Sequence, residues 1–280
     1  MMNRNARQGI VCAILLAMGI SASVHAQTLT VTNNLRLWLK ADSLTGLNNG
    51  DPVTAWNDSS TNAWNASQPS VPAQPTYLAS FRNGKPAVHF VNLEFLQSAT
   101  SQTSSSTPMM FVVYRATARF GDGGVFDLGN NASTFAGLAF RGTGGTLKTE
   151  ACNFGCTGST MTDVTTDGVT RIVTGSFSGG PGPNPQTANS WVNGRSDDSL
   201  QTFADSSSTH INYRVSDLFG FGGIAGDIAE VVVYDTNLAS TDRQNVVEYL
   251  VGKYAIPEPS SIGLMVVGAL VFWKRRIRRT

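Results

Sequence analysis

Apolar and polar residues alternate in short runs along residues 27–256, and turn-forming residues separate the runs. Such period-two runs, rich in β-branched and aromatic side chains, predict strands. They cover Leu35–Ala41, Ala87–Val91, Met109–Ala116, Phe135–Arg141, Arg171–Phe177, Ser190–Val192, Ile211–Val215 and Asp227–Tyr234. Met109 to Tyr114 is apolar at every position, which predicts a central strand. The turns are Asn83-Gly84, Gly121-Asp122-Gly123-Gly124, Gly144-Gly145 and Asn193-Gly194. Asn-Gly accepts positive φ at both positions, so Trp191 to Arg195 predicts a tight hairpin. Pro181 to Pro185, with three prolines, reads as a loop outside any sheet. One stretch changes period: Val246, Leu250 and Tyr254, flanked by Val247 and Val251, form a helical stripe. Ser240 or Thr241 is its expected cap, and Thr241 with Gln244 has capping-box spacing. No internal repeat is present. Many short strands with glycine turns and one C-terminal helix predict an all-β, two-sheet antiparallel sandwich.

Both ends break this pattern. Arg4 and Arg7 precede an apolar stretch, Ile10 to Ile20, followed by Val24-His25-Ala26. That order predicts a secretory signal over residues 1–26, cut after Ala26. The stretch is shorter than the roughly 20 residues of a spanning helix. At the other end, Pro257-Glu258-Pro259 leads into the apolar run Ile262 to Trp273, and then Lys274-Arg275-Arg276-Ile277-Arg278-Arg279. A helix of that run is about 18 Å long, short for a bilayer core of about 30 Å. The basic cluster suits the cytoplasmic side. A short hydrophobic helix behind an acid held between prolines reads as a temporary anchor carrying a recognition tag.

The motif, short transmembrane helix and arginine-rich end resemble the PEP-CTERM sorting signal, over residues 257–280. The resemblance implies a Gram-negative-type host that makes exopolysaccharide, and an exosortase that reads and removes the tail. Signal peptidase and exosortase are then the processing partners. The chain is expected to be membrane-anchored transiently and then to reach the cell surface or the extracellular biofilm matrix. Glu258 is the carboxylate expected to be recognised, because Pro257 and Pro259 keep its backbone extended.

Charge sharpens the picture once the ends are set aside. Seven of the 20 Lys and Arg lie in the end segments and only Glu258 of the 19 acids does. The domain of residues 27–256 keeps 13 basic and 18 acidic side chains, a formal −5. Such a surface repels phosphate backbones, so nucleic acid is excluded as a partner. Cys12 leaves with the signal. Cys152 and Cys156 are expected to pair as a small disulfide loop in an oxidising compartment. A zinc site there would want two more Cys or His ligands nearby.

The order of segments over about residues 35–254 also resembles the concanavalin A-like, laminin G-like jelly roll. The resemblance rests on Leu37-Trp38-Leu39-Lys40-Ala41-Asp42, Trp56-Asn57-Asp58-Ser59-Ser60, Asn83-Gly84-Lys85-Pro86-Ala87-Val88 and Gly226 to Asp235 followed by the helix. Relatives of that fold often hold calcium, and Asp122, Asp127 and Asn130 surround a glycine-rich turn with hard oxygen ligands. An ordinary polar loop is the alternative there. The fold carries both lectin-like binders and glycan hydrolases, so residues must decide.

A glycan hydrolase needs two facing carboxyl groups. The domain has four glutamates, Glu94, Glu150, Glu230 and Glu248, none close to another. Asp227 and Glu230 are three apart, so a regular strand sends them to opposite faces. Gly175-Ser176-Phe177-Ser178-Gly179 has Phe at the centre of the elbow, so no serine nucleophile stands there. His89 lies in an alternating strand and reads as structural; His210 is the other histidine of the mature domain. The expectation is therefore a chain that is not an enzyme, with no catalytic residue: a carbohydrate-binding or matrix-associated module. A glycan-active hydrolase and a structural or adhesive surface protein are the alternatives. Sugar binding would use an exposed aromatic beside amide groups, and Trp64 with Asn65 is the candidate pair. Trp56 is assigned to the core, with Asp58 holding its turn by bonding nearby backbone.

The tail makes a direct prediction. Glu258→Ala is expected to leave the C-terminal segment uncleaved in a host with an exosortase, read as a larger mature mass on a gel. Identical processing of variant and parent would count against it.

Overall fold

The computed structural model describes residues 28–91, 93–105, 107–119, 123–129, 137–143, 146–152, 156–161, 167–178, 185–196, 201–204, 211–217 and 222–256. The expected export signal with Ala26 and the expected sorting motif Pro257, Glu258 and Pro259 lie outside these residues. So do Asp122, Asn130 and His210. Among the described residues no helix is long and apolar enough to cross a membrane.

Among the described residues, seventeen strands and one α-helix follow one another. They are Leu35–Lys40 (β1), Ala55–Trp56 (β2), Ala66–Ser67 (β3), Thr76–Arg82 (β4), Lys85–Phe90 (β5), Leu96–Ser98 (β6), Met109–Arg119 (β7), Gly124–Gly129 (β8) and Gly137–Thr143 (β9). Then come Thr146–Cys152 (β10), Cys156–Met161 (β11), Arg171–Ser178 (β12), Pro185–Val192 (β13), Arg195–Ser196 (β14), Gln201–Ala204 (β15), Asn212–Val215 (β16), Ile224–Tyr234 (β17) and the helix Ser240–Tyr254 (α1). One sheet runs β14-β13-β12-β7-β17-β5-β4, with β1 also paired to β17 and β15 to β13. The other runs β11-β10-β9-β8-β16-β6-β3-β2. Every pairing between the named strands is antiparallel. The expected all-β sandwich with a terminal helix is what the chain adopts.

The two sheets share one core. Leu37, Val88, Met110, Val112, Tyr114 and Val173 of the first meet Phe126, Leu128, Phe140, Tyr213 and Val215 of the second. On β7 the odd positions point the other way: Met109, Phe111 and Val113 join Ala229, Val232 and Tyr234 beneath Val246, Leu250 and Tyr254 of α1. Helix and facing sheet thus bury both sides of β7, which is why its sequence is uninterrupted apolar residues. Each fully buried Val, Leu or Phe contributes about 1.5–3 kcal/mol to this packing.

Several local expectations need correction. The N-cap of α1 is Ala239, and neither Ser240 nor Thr241 makes a side-chain cap bond. The helix is held at its other end. The β4–β5 turn, with Asn83 and Gly84 at φ 50° and 67°, brings Arg82 and Asn83 to its last carbonyls. Arg82 donates to the carbonyls of Tyr254 (3.2 Å) and Ala255 (3.0 Å), and Asn83 to that of Lys253 (3.0 Å). Pro185 is not in a loop but opens β13, a first-strand position where a missing N–H is tolerated. The Asn193-Gly194 hairpin forms as expected, at φ 50° and 80°.

The Trp56–Ser60 turn is organised by one carboxylate. Asp58 Oδ1 accepts from the backbone N–H groups of Trp38 (2.9 Å) and Ser60 (2.8 Å). Its Oδ2 accepts from the Ser60 hydroxyl (2.7 Å) and the Trp64 N–H (2.9 Å). The turn is thereby tied to β1 of the opposite sheet. Asp58→Ala should orphan three backbone donors and cost about 3 kcal/mol of stability. Urea unfolding followed by tryptophan fluorescence would read this as a lowered midpoint, and an unchanged midpoint would contradict it.

Candidate functional site

Trp64 and Asn65 are not a binding surface. Trp64 is 0% exposed, its ring edge-on to Tyr213 at 4.8 Å and its indole N–H bonded to the Thr100 carbonyl at 2.9 Å. The Tyr213 hydroxyl closes on the Trp64 carbonyl at 2.6 Å. Asn65 Oδ1 accepts from the Asp58 N–H at 2.9 Å, so Asn65 is turn scaffold. A buried tryptophan satisfies its N–H on backbone, and period alone could not separate that from an exposed platform. Trp56 is core, as expected.

The proposed calcium ligands are not seen together. Asp127 lies mid-strand in β8, 1% exposed, in register with Arg214 of β16. Its strand neighbours Phe126 and Leu128 face the shared core, so Asp127 points to the outer side of the second sheet. Asp122 and Asn130 lie outside the described residues. Among the described residues no group of three or more His, Cys, Asp or Glu is placed to hold a metal ion. Cys152 of β10 and Cys156 of β11 are register partners in the antiparallel pair.

The outer side of the second sheet forms a groove at Arg214. Tyr213 and Val215 point into the core, which sends Arg214 outward between them. Its guanidinium pairs with Asp217 and lies over the Phe95 ring, 5.4 Å from its centre. Asp217, nearly buried, also accepts from the Gly222 N–H at 3.2 Å. Gly223 closes the floor: a Cβ there would meet the Ser216 carbonyl oxygen at 1.9 Å. Leu93, 65% exposed, completes a groove of about 300 Å³ with Phe95, Arg214, Ser216, Asp217 and the two glycines. A half-buried aromatic face beside a planar fork of donors and a carboxylate offers both stacking and hydrogen bonds to hydroxyls. A second groove of about 380 Å³, lined by Thr30, Asn33, Asn34, Asn237, Asp242 and Asn245 among others, has polar groups but no aromatic.

The first sheet carries two carboxylates on its outer side. The inner core takes Ile228, Val231 and Val233 of β17, whereas Ala229, Val232 and Tyr234 face α1. The alternation slips at a bulge between Ile228 and Glu230. Asp227 and Glu230, expected on opposite faces, therefore share one. Glu230 is 0% exposed and bonds to Trp38, Tyr249, Lys253 and Tyr254. Burial, with the Glu230 charge adding to it, pushes the Tyr249 and Tyr254 phenols well above the usual range. Both stay protonated donors. Asp227 is held by Arg115, at 2.8 Å from Nε and 2.6 Å from Nη2, and by His89 Nδ1 at 2.7 Å. His89 therefore serves an ion pair, in line with a structural reading. The hydrogen bond to Asp227 raises its pKa above 6.5; partial burial opposes this.

No protein-family model matches the chain, and no curated protein matches it. Solved structures do. Domain 4 of AbnA, a GH43 extracellular arabinanase from Geobacillus stearothermophilus, in complex with arabinotriose, is 13% identical with a TM-score of 0.55. The match covers 77% of this chain and 98% of that one. A crystal structure of an arabinofuranosidase complexed with arabinofuranosyl-α-1,2-xylobiose is 14% identical with a TM-score of 0.53. A GH54 α-L-arabinofuranosidase soaked with a cyclic sulfate inhibitor is 15% identical, TM-score 0.51. Each covers 72% of this chain, which spans about half (51%) of their length. These likenesses show the fold. They also overturn the expectation that the chain is not an enzyme, since the fold occurs within chains of glycoside hydrolases. The parity argument behind that expectation fails at the bulge as well.

The His89 pair sets a pH dependence. A histidine whose folded pKa lies above the unfolded value of about 6.5 stabilises the fold most below that value. The contribution fades as pH rises through the folded pKa. The stability gap between the parent and His89→Gln should therefore be widest below about pH 6.5 and narrow as pH rises above it, measured by urea unfolding at each pH. A gap that widened would refute the assignment.

Proposed function

We propose that this chain is an exported domain that engages polysaccharide outside the cell, delivered there by a C-terminal signal of PEP-CTERM type that an exosortase processes. The groove at Phe95, Arg214 and Asp217 carries the glycan part of this reading. Sugar rings present apolar C–H faces that stack on an aromatic, with hydroxyls at their rims that pair with forked donors and carboxylates. The groove balances its charges internally, because Arg214 is paired with Asp217. The domain as a whole is acidic, so a neutral polysaccharide suits it better than a uronate-rich one. The fold is shared with an arabinanase domain whose structure holds arabinotriose, which makes pentose-containing polymers the first to try. The C-terminal tail and the N-terminal leader support delivery to the surface, and the facing register of Cys152 and Cys156 supports a disulfide formed after export.

The test is a glycan array probed with the purified chain, followed by titration of any neutral polysaccharide that binds. Phe95→Ala and Arg214→Ala should each weaken binding about tenfold, the equivalent of about 1.4 kcal/mol, with unchanged circular dichroism. Assay of the same samples for new reducing ends reports whether what is bound is also cut. A folded chain that binds no glycan, or variants that bind as the parent does, would remove the groove from the account.

A further inference from the structure

Beneath the last turn of α1 three side chains of complementary chemistry meet in a nearly closed pocket. Lys253 Nζ donates to Glu230 Oε2 at 2.8 Å, to Asp42 Oδ1 at 3.1 Å and to the Tyr249 hydroxyl at 3.2 Å. The Lys253 side chain is 6% exposed, that of Glu230 0% and that of Asp42 30%. The walls are aromatic. Lys253 Nζ lies 5.6 Å from the Tyr249 ring centre and 5.4 Å from that of Tyr254, and Trp38 donates its indole N–H to Glu230. Asp42 sits in the 3₁₀ turn Ala41–Ser43 that follows β1. The nucleophile, the carboxyl carbon's own oxygen and a second carboxylate that touches the nucleophile are thus preassembled.

We propose that Lys253 and Asp42 form an intramolecular isopeptide bond, with Glu230 carrying the proton. Glu230 takes a proton from the Lys253 ammonium. The freed amine attacks Cγ of Asp42, the N–C bond forms, and one C–O bond of Asp42 breaks. The departing oxygen leaves as water, using the protons released by nitrogen, one of them passed on by Glu230. An ammonium and a carboxylate become an amide and a water, no oxidant or co-reactant is consumed, and Glu230 ends as it began. Two features favour the step. Condensation removes the Lys253 and Asp42 charges, and Glu230 stays hydrogen-bonded to Trp38, Tyr249 and Tyr254. Holding the reacting groups in contact supplies an effective concentration that free solution lacks. Asp42, at the mouth of the pocket, gives the water a way out.

The bond would join positions 211 residues apart, tying the turn after the first strand to the last helix. A chain attached through its C-terminus would then bear load across the link rather than through the hydrogen bonds of α1.

The test is peptide mapping of the purified, folded full chain by tandem mass spectrometry. The expected result is the peptide containing Asp42 joined to that containing Lys253, lighter than their sum by one water. The joined species should be absent from Lys253→Arg and Asp42→Ala, and strongly reduced in Glu230→Gln. Recovery of both peptides free from folded parent protein would overturn the proposal, and that measurement requires no variant to fold. A Glu230→Gln chain linked as fully as the parent would overturn the role given to Glu230.

Discussion

The carboxylate of Glu230 is the point on which the outer layer of this protein depends. It lies fully buried between β17 and α1, where Trp38, Tyr249, Lys253 and Tyr254 donate to it. A buried charge without such partners costs several kcal/mol, and removing one member of a buried pair typically costs about 3–5 kcal/mol. The helix therefore has a single seating that satisfies the charge. Shifting α1 along the sheet would strand Glu230 as well as expose Val246 and Leu250. The hydrophobic stripe supplies attraction without direction, and the carboxylate supplies the direction.

That seating has a structural precondition in the backbone. The bulge before Glu230 turns a residue that regular alternation would send into the inner core toward the helix instead. Asp227 already lies on that outer side, next to inward-facing Ile228, where Arg115 and His89 hold it. The result is a sheet whose outer side is apolar and helix-covered at one end and carries a charged row beyond the helix. The opposite sheet needs no such cover at Arg214, where the groove keeps a charged pair, an aromatic face and a glycine floor accessible. The two faces differ in what covers them: one is fastened by the helix, the other keeps this groove open.

Much of this was legible along the chain. Each of the eight runs predicted from pattern overlaps a strand among the described residues, and the unbroken apolar run at Met109–Tyr114 lies in the central β7. The Asn-Gly turn at 193–194 and the helix stripe were equally local. The short strands β2, β3, β6 and β14 carried too few residues to show a period, and β4, with Leu78, Ala79 and Phe81 mixed among polar residues, showed no clean one. The site was less legible. Trp64 beside Asn65 has the composition of a sugar platform, yet Tyr213, far along the chain, covers it. Phe95 and Arg214 gave no sign of one another, because a lone aromatic and a lone arginine stand 119 positions apart.

What the amino-acid order determined by itself is the set of elements, since alternation, turn chemistry and helical period are properties of neighbouring residues and their backbone angles. It also determined the polarity of the chain's two ends, which depends only on composition. Tertiary structure alone decided which side of β17 Glu230 faces, because a one-residue bulge inverts parity and leaves no mark in a pattern of apolar residues. It alone decided that Lys253, a cation on a helix, would be buried: the partners that make this possible are Glu230 and Asp42, 23 and 211 residues away. Contacts over such separations follow from how the sheets and helix pack, and no local preference encodes them.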